Sequence, residues 1–213
     1  MMMKDLDQLV AELADDAATV KPAPHPYMLS LKWTGAAAAY LAVSLAVSGL
    51  RPDLAQALAH PWYIAEIAAL SLVFISTSLS AALLAFPDLH QKRSLVFMPA
   101  WTFALLLLVI LLAWRADTPP APLPVHSFEC TLSITLFALL PAVWTFYAMR
   151  KYASTYYYWA GSIALLSAFS VGALWLRLHE VNDSIVHVVE WHYLPMIAAG
   201  ILGLWLGRVL LKW

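Results

Sequence analysis

Apolar and polar positions divide this chain into two unequal parts. In the first, Leu6, Leu9, Val10, Leu13 and Ala17 follow helical spacing and make one apolar stripe, while Asp5, Asp7, Glu12, Asp15 and Asp16 crowd the remaining surface. The pattern predicts a short amphipathic helix, which "KPAPHPY" at residues 21–27 stops and follows with an extended linker. Beyond it the chain turns almost wholly apolar. A bilayer core of about 30 Å needs about 20 apolar residues in a helix. Six stretches qualify: Leu31–Leu50, Trp62–Phe86, Phe97–Trp114, Cys130–Met149, Tyr156–Leu176 and Trp191–Leu211. Pro99, Pro141 and Pro195 fall inside or near the starts of spans, where neighbouring helices can satisfy the backbone groups that a proline frees.

Composition strengthens this reading. The 213 residues are 62% hydrophobic and 12% charged, against about 25% charged in a soluble domain. The expected fold is an all-α membrane protein, with six transmembrane helices and a short cytoplasmic N-terminal amphipathic helix. Residues 1–30 are the tail and linker, and 31–213 the transmembrane domain. The opening "MMMKDLDQLVAELADD" has no apolar core and is not read as a signal peptide. The orientation follows from the basic residues. With the N-terminus cytoplasmic, Lys4, Lys21, Lys32, Lys92, Arg93, Arg150, Lys151, Arg208 and Lys212 lie inside, and Arg51, Arg115 and Arg177 outside. Both termini are then cytoplasmic. A net charge of -1 gives no bias toward nucleic acid, and none is expected as a direct partner.

The helix faces refine the picture. Ala160, Ala164, Ala168 and Gly172 recur every four residues, as do Ala199, Gly203 and Gly207. Small residues at this spacing predict a tight hairpin of the last two helices. Glu66 is the main ionisable group within a span, about one turn from its outer end; at that depth it reaches the interface or bonds a neighbouring helix. A transporter needs titratable groups along a path, so their scarcity weighs against one. The acidic tail helix is a poor membrane-surface helix, because anionic lipid repels it. It suits a cytoplasmic protein with an apolar groove and a basic rim, or else lies on the membrane domain's own loops.

The outer loops hold the candidate chemistry. "HSFEC", residues 126–130, contains the single cysteine, which excludes an intramolecular disulfide. The third outer loop, "RLHEVNDSIVHVVEWH", carries His179, Glu180, Asp183, His187, Glu190 and His192. His126, Cys130, His179, His187 and His192 are plausible ligands for zinc or copper. His126 and Cys130 share a helical face if the helix starts early, whereas His187 and His192, five apart, do not suit one face. No HExxH-type motif is present, and interfacial hydrogen bonding is the competing account. A nucleophilic cysteine needs a base and an orienting group beside it. His126 and Glu129 are near Cys130 in sequence, but no substrate-binding motif accompanies them, so an enzyme is not expected.

Five stretches together resemble the NrsF family of membrane anti-sigma factors: "DLDQLVAELADDAATVKPAP", "GLRPDLAQAL", "FECTLSITLFALLPAVW", "LRLHEVNDSIVHVVEWHYLP" and "GRVLLKW". The resemblance spans nearly the whole chain, and the last three stretches are the most specific. It implies a protein of the bacterial inner membrane whose tail sequesters an extracytoplasmic-function sigma factor and releases it on an envelope, metal or oxidative stress signal. Carried over, the tail contacts are Asp5, Leu6, Leu9, Val10 and Leu13, with no metal in the tail. Family members usually have a cysteine in each of the second and third outer loops. Cys130 matches the first, and Glu180 stands where the second is expected. The candidate sensing residues are therefore Cys130, His126, His179, Glu180, His187 and His192, with an outer-loop metal as the one candidate cofactor. The bilayer is a partner, and a second copy of the chain stays open as another. The rival reading is a small-molecule or metal-binding membrane transporter or sensor without a sigma-factor partner.

Overall fold

Proline opens two of the long helices of this protein and threatens the interiors of others, and the way the bundle answers that threat organises its packing. The computed structural model describes residues 6–16, 23–87, 93–116 and 127–212, all helices and connections with no strand among them. In chain order the helices are α1 (Leu6–Asp15), α2 (Pro26–Ser48), α3 (Leu54–Ala57), α4 (Pro61–Leu84), α5 (Arg93–Ala116), α6 (Phe128–Met149), α7 (Tyr157–His179) and α8 (Ile185–Val188). A π-helical turn, Val189–Tyr193, then leads into α9 (Leu194–Leu210). Counting α8, the π turn and α9 as one continuous segment, six are long and apolar enough to cross a membrane. Pro26 and Pro61 open α2 and α4, where a missing N–H costs nothing and the fixed φ suits the first turn. Pro26 starts α2 five residues before the stretch that hydropathy marks, so part of the expected linker is helix.

Pro99, Pro141 and Pro195 sit where a helix would otherwise use their N–H groups. Each leaves the carbonyl four residues earlier without its helical donor. Those carbonyls belong to Leu95, Phe137 and Trp191, and each accepts a hydroxyl from another helix. Ser80 of α4 donates to Leu95 at 2.8 Å, Tyr40 of α2 to Phe137 at 3.1 Å, and Thr131 of α6 to Trp191 at 2.8 Å. In a bilayer no water would serve, so these hydroxyls tie α4 to α5, α2 to α6, and α6 to the π turn.

α7 is the central helix, enclosed along most of its length by α9, α6, α4 and α2. It meets α9 where small residues allow backbones to touch. A Cβ on Gly203 would fall 2.6 Å from the Gly161 carbonyl oxygen, and one on Gly161 would collide with the Gly203 carbonyl. The hairpin expected from the small-residue repeats is present, but Gly161 carries it. Gly172 instead faces α6, where a Cβ would sit 2.6 Å from the Ile134 carbonyl oxygen. α2 and α5 are largely exposed along their outer faces, as lipid-facing helices would be.

Removing the hydroxyls tests the proline repair. Thr131→Val, Ser80→Ala and Tyr40→Phe should each lower stability by roughly 0.6–2 kcal/mol. Thr34→Val removes only a bond to Ser30 of its own helix and should cost less. Thermal unfolding of the detergent-solubilised chain measures the difference.

Candidate functional site

One end of the bundle concentrates the charge, in two neighbouring clusters. The first is built on Glu66 of α4 and Arg177 of α7, both buried. Arg177 donates from Nε to Glu66 Oε1 at 2.8 Å and from Nη2 to Oε2 at 2.9 Å, the paired geometry that suits guanidinium and carboxylate. The Tyr193 hydroxyl donates to Glu66 Oε1 at 2.6 Å, and Tyr63 donates to the Arg177 carbonyl at 2.8 Å. The expectation that Glu66 bonds a neighbouring helix is met, and its partner explains why α7 continues past Leu176. With its charge balanced, Arg177 stays in the helix instead of opening the loop.

Asp183 extends the network to α2. It accepts from Arg177 Nη2 at 3.2 Å and from Arg51 Nη1 and Nη2 at 2.7 Å each. Arg51, just past the end of α2, also donates to both oxygens of Asp53 at 2.8 Å. Both guanidiniums lie about 5 Å from the Tyr63 ring centroid, within cation–π range. Asp53 and Asp183 together hold the Arg51 guanidinium protonated far above any working pH. Burial works against ionising Asp183, but the Arg51 hydrogen bonds and the charges of Arg177 and Arg51 outweigh it and hold the carboxyl below its usual range. Gly49, with φ of 85°, makes the turn from α2 into this network, a conformation that favours glycine.

The second cluster joins Cys130 near the start of α6, Glu180 just after α7, His187 of α8 and His192 of the π turn. One donor atom from each lies within 4.8 Å of the others. His187 Nε2 is 3.1 Å from Glu180 Oε1, His192 Nε2 is 3.1 Å from Oε2, and the Cys130 thiol donates to Oε1 at 3.5 Å. Both imidazoles are buried, and Ser127 Oγ lies 3.0 Å from His187 Nδ1. Burial pushes the Glu180 carboxyl up, yet the facing His192 and His187 outweigh it and hold it below its usual range.

Spacing alone set His187 and His192 apart, because an α-helix separates residues five apart by about 140° around its axis. The π turn removes that objection. Its wider turn closes over five residues, and the Leu194 N–H reaches the Val189 carbonyl. The two imidazoles then lie with ring centroids 5.1 Å apart. Both histidines are thus helical, not in a loop, and only residues 180–184 connect α7 to α8.

His179 lies apart from this cluster. Its Nδ1 is 2.9 Å from the Gly49 carbonyl oxygen, and its ring stacks on Trp175 at 5.2 Å. His126 and Asp5 lie outside the described residues. Leu6 begins α1, and Leu9, Val10 and Leu13 are exposed on it. Sequence reasoning missed Ser127 and the Arg51–Asp53–Asp183–Arg177 network. A signal was present: two of the few outer arginines have an aspartate two or six residues on, and Glu66 needed a cation.

Six apolar helices capped at one end by buried ion pairs define a multi-pass membrane protein. The chain belongs to the family described as "Negative regulator of sigma F", NrsF, which matches over residues 13–213. It is similar to the anti-sigma-F factor NrsF of Caulobacter vibrioides (strain NA1000 / CB15N), 27% identical over 212 residues and covering 97% of this chain and 99% of that protein. No solved structure matches. The family match begins at Leu13, so the four other tail positions singled out above precede it.

Two outcomes test the ion network. Arg177→Met alone should cost about 3–5 kcal/mol, whereas Glu66→Leu with Arg177→Met should recover most of it, since a lone buried charge is the costly species; thermal unfolding of the three proteins decides. Asp183 gives a pH dependence. Its folded value is depressed, so its contribution is complete above the unfolded value near 3.8 and is lost as pH falls through the lower folded value. Asp183→Asn should flatten that acid limb in a pH series of unfolding midpoints.

Proposed function

We propose that this protein is a membrane-bound anti-sigma factor of the bacterial inner membrane, with cytoplasmic termini, that sequesters an extracytoplasmic-function sigma factor through its N-terminal tail. Membership of the family carries the reading. The tail supports it: α1 presents Leu9, Val10 and Leu13 to the surroundings, with Glu12 and Asp15 on the same short helix. A ten-residue helix is marginal alone, and seating that stripe in an apolar groove of a partner would stabilise it.

Release requires that a signal bind or modify one state of the bundle better than the other. In this reading the charged end faces outward and senses an envelope, metal or oxidative stress. α2 is the covalent route between the two ends. The tail enters it at Pro26, and its far end is held through the Gly49 carbonyl by His179 and through Arg51 by Asp183. The Arg51 backbone N–H also donates to the Leu178 carbonyl at 2.9 Å. A rearrangement that loosens these ties moves the helix that carries the tail.

Co-purification tests the tail. A chain lacking residues 1–20 should retain the co-expressed sigma factor at least about tenfold less than the full chain, the loss expected when a central apolar anchor worth about 1.4 kcal/mol or more is removed. Leu9→Asp with Leu13→Asp should do the same. Undiminished capture by both would refute this assignment of the tail.

A further inference from the structure

The second cluster has more chemistry than its hydrogen bonds use. Glu180 Oε2, His187 Nε2 and both ring nitrogens of His192 are buried without a hydrogen-bond partner. The imidazole nitrogens stand 3.1 Å from the carboxylate oxygens, but off the line a hydrogen bond requires. Buried polar groups in native proteins are nearly all paired, and three of these orphans, Glu180 Oε2, His187 Nε2 and His192 Nε2, gathered at one spot call for an account. The donor types supply it: one thiol, one carboxylate and two imidazoles. Four such ligands suit a tetrahedral ion of intermediate softness, and not magnesium or calcium, which take oxygen donors.

We propose that Cys130, Glu180, His187 and His192 form a tetrahedral site for one divalent transition-metal ion of the zinc class. The spacing fits. Bonds of about 2.0–2.3 Å to a tetrahedral ion put donor atoms roughly 3.3–3.8 Å apart. Glu180 Oε1 lies 3.1 Å from His187 Nε2 and 3.5 Å from Cys130 Sγ, Glu180 Oε2 lies 3.1 Å from His192 Nε2, and with one donor atom from each residue the widest separation is within 4.8 Å. Shifts of side chains by about an ångström or less complete the shell. Ser127 has the place of an outer partner. With the His187 Nδ1 proton donated to Ser127 Oγ, the Nε2 lone pair is left to face the ion. The Cys130 thiol binds as thiolate, its proton passing to solvent as the metal–sulfur bond forms. Thiolate and carboxylate together neutralise the ion, so the filled site carries no net charge. Cys130 and Glu180, half-buried, are the side of entry, while both histidines form the enclosed wall.

The site would staple the start of α6, the connection after α7 and the π turn. It deepens the reading above by naming the class of signal, and only that consequence rests on it; metal binding does not need the sigma factor. The test uses the full chain in detergent, stripped with a chelator and titrated with Co(II). One equivalent should bind, with the strong visible absorption of a tetrahedral cobalt site and a sulfur-to-metal charge-transfer band, and Zn(II) should displace it. Cys130→Ser should abolish the charge-transfer band. His192→Ala and Glu180→Gln should each weaken binding at least tenfold, and Ser127→Ala by roughly tenfold. Weak octahedral spectra, several equivalents, or affinity unchanged in His192→Ala and Glu180→Gln would overturn the proposal. The conservative Cys130→Ser and Glu180→Gln variants keep it falsifiable if His192→Ala misfolds. Sigma-factor capture, measured separately on the same preparations, shows which of the two readings fails.

Discussion

A guanidinium and a carboxylate withdrawn from water inside an apolar bundle tolerate little displacement. Desolvating each charge is expensive, and their attraction repays it only with good geometry and with the remaining donors and acceptors satisfied. Glu66 and Arg177 meet those terms with two short parallel bonds, and Tyr193 and the Asn182 carbonyl take up further valences. Asp183 then passes the constraint to Arg51. As a result α2, α4, α7 and the π turn are fixed at one end by charges that cannot separate cheaply. The opposite end of α2 has a bond from Ser30 to the Leu79 carbonyl, but no comparable ion pair there among the described residues. A helix pinned at one end by ions and held at the other by lighter contacts is suited to carry displacement toward a tail.

A second constraint shapes the candidate metal centre without touching it directly. Pro195 denies the Trp191 carbonyl its helical donor, and Thr131 replaces it from α6. The chain on the N-terminal side relaxes into a π turn, which is where His192 swings toward His187. The hydroxyl that repairs the backbone comes from the residue after Cys130. One contact between α6 and the π turn therefore repairs a helix and places a thiol beside two imidazoles.

The close approach of α7 and α9 has a related logic. Apolar lipid offers no hydrophobic drive for helices to associate, so packing contact must supply it. Gly161 and Gly203 let the backbones touch, and α7 can then be surrounded on several sides. A central helix so enclosed can carry a buried arginine near its end, because neighbouring elements supply every partner.

Much of this was legible from residue order. Hydropathy over about 20 residues measures the same quantity that a bilayer selects, so the six spans, the amphipathic tail and the outlying Glu66 followed from local pattern. The small-residue repeats foretold a tight hairpin because side-chain size is a local property. What pattern could not supply was partnership. Glu66 and Arg177 are 111 positions apart, and no spacing rule joins them. Without that pair, Arg177 reads as loop and α7 ends early. The glycine repeat implied Gly172, whereas the helix rotation set by its several neighbours brought Gly161 to the α9 contact. His187 and His192 were set apart on an assumed period of 3.6 residues, and a local change of period reversed that. The sequence by itself determined which segments leave water and which face is apolar, since burial free energy sums over neighbouring residues. The tertiary structure alone decided which buried polar groups meet, because their cost depends on a partner that the chain brings from elsewhere.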